Sequence, residues 1–223
     1  MQKPSGFLAM IVVGLWLSGC STAATFTVKV NGYTDPGTSG LIKPGGAFFV
    51  MENPETKNPL LEQEIKGKII KLLERRGYFL TTFEKADYCL FFAYGMGEPR
   101  TAGTAVPDYY GSVGWGVGGG YGWGGWGGPS VAIGIPWGGS TDSAVLYDRW
   151  LLIKVVEGPA YRTQKTSPPV WVGEARSLGT SSDLRLVLNY LLVADFKEFG
   201  KNTGKAVTVE INVDNPEAVS LTP

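Results

Sequence analysis

The chain has 223 residues, a length that fits one large domain or two small ones. Twenty Lys and Arg balance twenty Asp and Glu, so no strong electrostatic pull on nucleic acid or anionic lipid is expected. His is absent, which removes a His-dependent triad, a His metal site and the commonest neutral-pH proton shuttle.

In chain order, residues 1–19 predict a signal peptide. Lys3 and the amino terminus form a short positive region, and Phe7 to Leu17 is an uncharged apolar run. That run is too short to cross a hydrocarbon core of about 30 Å. It ends in Leu17-Ser18-Gly19-Cys20, which resembles a bacterial lipobox. In a lipobox the Cys sulfur receives a diacylglyceryl group and cleavage occurs just before it. The alternative is an ordinary signal peptide with an incidental Cys. Small residues before the Cys and the abutting apolar run favour the lipobox. The resemblance implies an acylated Cys20, with palmitate-type chains holding it in one leaflet. Two or more chains give stable anchoring. Ser21 is not the Asp that typically retains such proteins in the inner membrane, so a lipoprotein of the outer membrane, facing the periplasm, is expected. Residues 20–25 would be a lipidated tether, and Ser21 to Thr25 fully extended reaches roughly 17 Å. With Cys20 acylated, Cys89 is alone and no intrachain disulfide can form. Apolar neighbours on both sides mark Cys89 as a small buried hydrophobe rather than a reactive thiol.

Residues 26–223 are expected to form a single α+β domain. Phe26 to Val30 alternates apolar and polar, a half-buried strand. Asn31 to Gly46 carries Gly and Pro-Gly signals and reads as loop. Ala47 to Met51 is a second strand. Asn58 can cap a helix, Pro59 suits its first position, and Leu61, Ile65, Ile69, Leu72 and Leu73 recur at helical spacing. Gly77 suits the left-handed position after the helix. Gly67, inside it, is expected to permit close packing on the sheet. Tyr78 to Thr82 is a short strand. Tyr88 to Met96 is apolar on both faces, so a central strand covered on both sides is expected. Asp87 is expected to cap the turn before it.

Gly111 to Gly139 is 29 residues with 14 Gly and four of the seven Trp. No charged residue falls between Asp108 and Asp142. Gly loses more backbone entropy on ordering than any other residue. The stretch therefore predicts a long Gly/Trp-rich loop, at about 101–143, inserted between strands. Its match to Gly-x-Gly-x-x-Gly has no meaning without a following helix. Trp115, Trp123, Trp126 and Trp137 are candidate interaction residues, because Trp anchors protein interfaces and also favours lipid headgroups. A tolerated low-complexity insertion is the plainer alternative.

Val145 to Val156 reads as a long strand and Pro169 to Ala175 as its partner, with Glu157 to Pro168 a polar hairpin connection. Thr180-Ser181-Ser182-Asp183 resembles a capping box. Leu184, Leu188, Leu191, Leu192, Phe196 and Phe199 mark a second amphipathic helix, with Gly200 after it. Alternation from Val207 to Val213 gives a last strand. Two amphipathic helices against one mixed or antiparallel sheet is the economical packing.

Asn58-Pro59-Leu60-Leu61 opens the first helix, Arg76-Gly77-Tyr78 closes it, and Ala86-Asp87-Tyr88 enters a strand. The Gly/Trp/Tyr-rich stretch from Tyr109 to Gly128 and the motif Val170-Trp171-Val172-Gly173-Glu174-Ala175 follow. Motifs in this order resemble the bacterial lipoprotein family called domain of unknown function 4136. The resemblance implies an envelope location and no known activity. The longer Glu157 to Pro168 connection and the strand after Gly200 depart from it.

No catalytic residue is identified. The Asp residues are scattered and none shows Ca²⁺-loop spacing, and no Gly-x-Ser-x-Gly elbow occurs. Asp148 and Arg149 lie mid-strand between apolar neighbours, which suits an edge or ion-paired position more than a functional carboxylate. No cofactor and no metal site is expected. The expected function is a non-catalytic cell-envelope lipoprotein that docks an envelope protein or glycan. The alternatives are a membrane-surface protein whose Gly/Trp loop contacts lipid, and a carboxylate-dependent hydrolase. Nucleic acid is not an expected partner.

Overall fold

A computed structural model describes residues 24–35, 42–101, 145–165 and 167–223. The expected signal peptide, Cys20, most of the expected tether and the Gly/Trp-rich stretch with Trp115, Trp123, Trp126 and Trp137 lie outside the described residues.

The elements are β1 (Thr25–Thr34), β2 (Ala47–Val50), α1 (Pro59–Arg75), β3 (Phe79–Leu80), β4 (Tyr88–Met96), β5 (Arg100–Thr101), β6 (Val145–Glu157), α2 (Gly158–Gln164), β7 (Pro169–Gly179), α3 (Leu184–Lys197), β8 (Val207–Asn212) and α4 (Pro216–Val219). The strands form one mixed sheet in the order β3-β2-β4-β6-β7-β1-β8, with β5 added to β6. The fold is α+β, as expected. Pairing is parallel for β3-β2-β4 and antiparallel from β4 to β8. Parallel neighbours need a long crossover. Helix α1 supplies the one between β2 and β3.

Side-chain alternation decides the two faces of the sheet. Val28 and Val30 of β1, Leu90 and Phe92 of β4, Leu151, Ile153 and Val155 of β6, Trp171 and Ala175 of β7, and Ile211 of β8 turn toward the helices. Ile65, Ile69, Leu72 and Leu73 of α1 and Leu188, Leu191, Leu192 and Phe196 of α3 close the core from the other side. A smaller cluster on the opposite face joins Cys89, Phe91 and Val156 with Met51, Phe83 and Tyr161. Strand β4 is thus covered on both faces at its first half. Cys89 is buried and free, and burial pushes its thiol up, so it behaves as the small core residue expected.

Helix α1 starts and stops where its sequence says. The Leu61 N–H donates to Asn58 Oδ1 at 3.1 Å, and Gly77 takes φ +79°. Gly67 departs from expectation. A Cβ there would have no heavy atom within 4 Å, so it permits no close packing. Gly67→Ala should therefore raise the unfolding free energy by about 0.5–1 kcal/mol, read as a higher urea midpoint with unchanged slope.

Five further expectations are corrected. Strand β1 starts at Thr25, inside the expected tether, and runs to Thr34, through residues read as loop. Tertiary partners explain this: Thr25 pairs with Asn212, and Gly32 and Tyr33 pair with Gly173 and Val172. The connection from Glu157 to Pro168 holds helix α2 rather than a simple hairpin turn. Its Arg162 guanidinium donates to the carbonyls of Phe83 and Ala86 at 2.9 Å, and Tyr161 packs edge-on against Phe83 and Phe91. The cap of α3 is Asp183, whose Oδ1 accepts the Leu186 N–H at 3.0 Å, so Thr180 does not open a capping box. Asp87 does not cap its own turn. Its Oδ2 accepts the Ala47 N–H at 2.9 Å, and its backbone N–H donates to the Ala47 carbonyl, which closes the start of the β2–β4 ladder. Strand β5 and helix α4, unread in the sequence, complete the fold.

Candidate functional site

The ladder registers bring several chain ends to one end of the sheet. Strand β7 runs antiparallel to both β1 and β6, so its end at Gly179 lies beside the start of β1 and the start of β6. Gly179 pairs with Tyr147. The end of β4 is there too, since Met96 pairs with Arg149. So is the end of β8, since Asn212 pairs with Thr25. Strand β5 pairs Arg100 with Leu146 and Thr101 with Val145. The chain therefore leaves at Thr101 and returns at Val145 across one ladder rung. The start of β1 and both roots of the Gly/Trp-rich stretch share this end. Adjacent strands are about 4.8 Å apart, so β1 and β6 are separated by about 10 Å.

Next to these roots, on the face away from the long helices, lies a charged group. Arg176 Nη1 is 3.5 Å from Asp148 Oδ2, and its Nε donates to Glu174 Oε1 at 3.0 Å. Burial raises the Asp148 carboxyl above the usual carboxylate range, and the positive charges of Arg176, Arg100 and Arg149 oppose that. Asp148 lies on β6, inside the sheet, so of the two positions expected for it the ion-paired one holds and the edge one does not. Arg149 turns the other way, into the helix side. It is 2% exposed, donates to the Ser181 carbonyl at 2.8 Å and to Ser177 Oγ at 3.1 Å, and stacks over Phe26 at 5.5 Å. Arg149 thereby fastens the connection between β7 and α3 to the central sheet.

A second carboxyl escaped the sequence reading. Asp195 of α3 is fully buried, and among the described residues neither carboxyl oxygen has a hydrogen-bond partner. It faces Gly173 of β7, where a Cβ would collide with both the Asp195 carboxyl and the Trp171 ring. Burial pushes the Asp195 acid well above its usual range, with Glu174 adding to the rise. Its position in the chain was a signal. Asp195 is four residues after Leu191 and seven after Leu188, within the stripe that packs on the sheet. Trp171, two positions from Gly173, is fully buried and donates Nε1–H to the Lys201 carbonyl at 3.0 Å.

Among the described residues, no three Cys, Asp or Glu come together as metal ligands. Among the same residues, no helix is long and apolar enough to cross a membrane.

These features define an α+β protein with a mixed sheet, two long helices on one face and a short one on the other. No family model and no curated protein matches the chain. Solved structures of low identity do. A DUF4136 family protein from Bacteroides thetaiotaomicron, the family that the motif order resembles, is 16% identical over 75% of this chain and 93% of that one, with a TM-score of 0.42. A PelC dodecamer variant from Paraburkholderia phytofirmans is 14% identical over 75% of this chain and 92% of that one, with a TM-score of 0.37. A PDZ domain protein from Parabacteroides distasonis is 14% identical over 84% of this chain, which spans 39% of that longer protein, with a TM-score of 0.46. With every TM-score below 0.5, none of them bears on what this chain does.

Proposed function

We propose that the chain is a non-catalytic, lipid-anchored protein of the cell envelope that docks a partner protein or glycan. Acylated Cys20 holds it to the outer membrane, on its periplasmic side. Trp115, Trp123, Trp126 and Trp137 are the docking residues. The observation that carries this reading is the pairing of Arg100 and Thr101 with Leu146 and Val145. It fixes both roots of the Trp-bearing stretch to a rigid sheet, so any partner held by those Trp residues is held by the whole domain. A second reading is that the same Trp residues contact lipid. It is favoured by the position of the roots at the sheet end where β1 begins, next to the tether.

A photo-crosslinking residue at position 123 or 126, in cells that export the full chain, separates the two. The docking reading expects one dominant crosslinked protein or glycan. Adducts of phospholipid mass without such a product would replace it with the lipid reading. A diffuse set of adducts would remove both.

A further inference from the structure

The end of the sheet where β1 begins carries more than chain ends. Val145, the first residue of β6, is 45% exposed, and Val213, just past β8, is 44% exposed. The Val213 N–H donates to the Ala24 carbonyl at 3.0 Å, so Val213 touches the first described residue of the chain. Leu186, in the first turn of α3, is 44% exposed and follows the β7 end by only a short connection. Leu60, in the first turn of α1, is 79% exposed. Helix α1 begins at this end as well, because Glu64 Oε2 accepts from Arg185 of α3 at 2.6 Å. The Tyr94 phenol of late β4, pushed up to about 12 by burial and by neighbouring Glu62, ties α1 to the same place. Four large aliphatic side chains therefore face solvent from one end of the molecule.

We propose that this end is a bilayer-contact surface, with Leu60, Val145, Leu186 and Val213 seated in the interfacial layer of the membrane that holds Cys20. The inference rests on the lipid-anchored reading above and adds an orientation to it. The length of chain before the fold commits it to lipid. Cys20 precedes Ala24 by four residues, which span at most about 14 Å. A bilayer that holds Cys20 cannot be far from Val213. Balanced charge gives the domain no electrostatic attraction to the surface, and scattered aliphatic contacts alone bind weakly. A short tether changes this, because it turns the contact into an intramolecular event at high effective concentration. Phe79 at the start of β3, also exposed, points away at the opposite end, since β3 and β4 run parallel to β2.

The test uses the full lipidated chain in vesicles of phosphatidylethanolamine and phosphatidylglycerol that include a headgroup-linked quencher. A fluorophore is attached in turn to the Leu186→Cys, Val213→Cys and Phe79→Cys variants, all at exposed positions. Buried Cys89 does not compete for the label. Quenching at 186 and 213 should be at least threefold that at 79. Equal quenching at the three positions, or stronger quenching at 79, overturns the orientation while flotation of the vesicles with protein leaves the anchor standing. A chain that fails to float and carries an unmodified Cys20 by mass spectrometry overturns the anchor and the orientation with it.

Discussion

Replacing Trp171 by alanine should cost about 3–5 kcal/mol of folding stability, the range for deleting a large buried aromatic. The ring is fully buried and lies 4.8 Å from the ring of Phe199, which in turn stacks on Phe196 at 4.9 Å. Phe199 is past the end of α3, and its ring also meets Phe48 of β2 and Tyr78 after α1. Trp171 therefore holds together β7, the end of α3 and the β2–α1–β3 unit. Its Nε1–H bond to the Lys201 carbonyl pins the loop that leads to β8. Alanine would leave a cavity among rings that cannot all collapse into it, and the Lys201 carbonyl short of a donor. Trp171→Phe keeps most of the packing and loses the hydrogen bond, so its cost should be about 1–3 kcal/mol. Urea unfolding of residues 24–223, followed by circular dichroism, reads both. An alanine variant within 1 kcal/mol of the parent would show that this aromatic cluster does not join the two halves of the core.

The parts of this fold that were legible are those whose cause is local. Asn58, Pro59 and Gly77 mark α1 because capping and a left-handed residue depend only on neighbours in sequence. The alternation of β8 and the apolar run of β4 were readable for the same reason. Helix α2 was not, since its seven residues carry no period and are fixed by Tyr161 and Arg162 reaching β4 and the turn before it. Asn31 to Thr34 read as loop because Asn31-Gly32 and the following Pro36-Gly37 are turn signals, yet β7 gives them a ladder. The parallel pairing of β2 with β4 hangs on Asp87 bonding a residue forty positions away, a contact no spacing rule could supply. The Gly/Trp-rich stretch and Cys20 were legible as composition and motif. Both lie outside the described residues, and the structure shows only that Thr101, Val145 and Ala24, which flank them in sequence, gather at one end.

Asp195→Asn should make the protein more stable at neutral pH, with the gain growing as pH rises. Among the described residues the Asp195 carboxyl has no hydrogen-bond donor to favour its charged form, so burial raises its pKa well above the value in an unfolded chain. The folded state consequently keeps a proton that the unfolded state loses. Below the unfolded pKa, near 4, both states hold the proton and the acid takes nothing from stability. Above it, each pH unit removes about 1.4 kcal/mol until the folded-state pKa is passed. Asparagine has nearly the same shape and never ionises, so the variant lacks this slope. Near pH 4 the two proteins should differ little, because each buries one uncharged polar group against Gly173 and Trp171. Toward pH 7 the variant should pull ahead. The buried and raised carboxyls of Glu62 and Asp148 tilt both proteins alike, so the difference between them isolates residue 195. Urea midpoints taken from pH 4 to pH 8 measure it. Parallel curves across that range would mean that the Asp195 carboxylate is solvated or paired when the protein is folded, and that the notch at Gly173 holds a charge rather than a neutral acid.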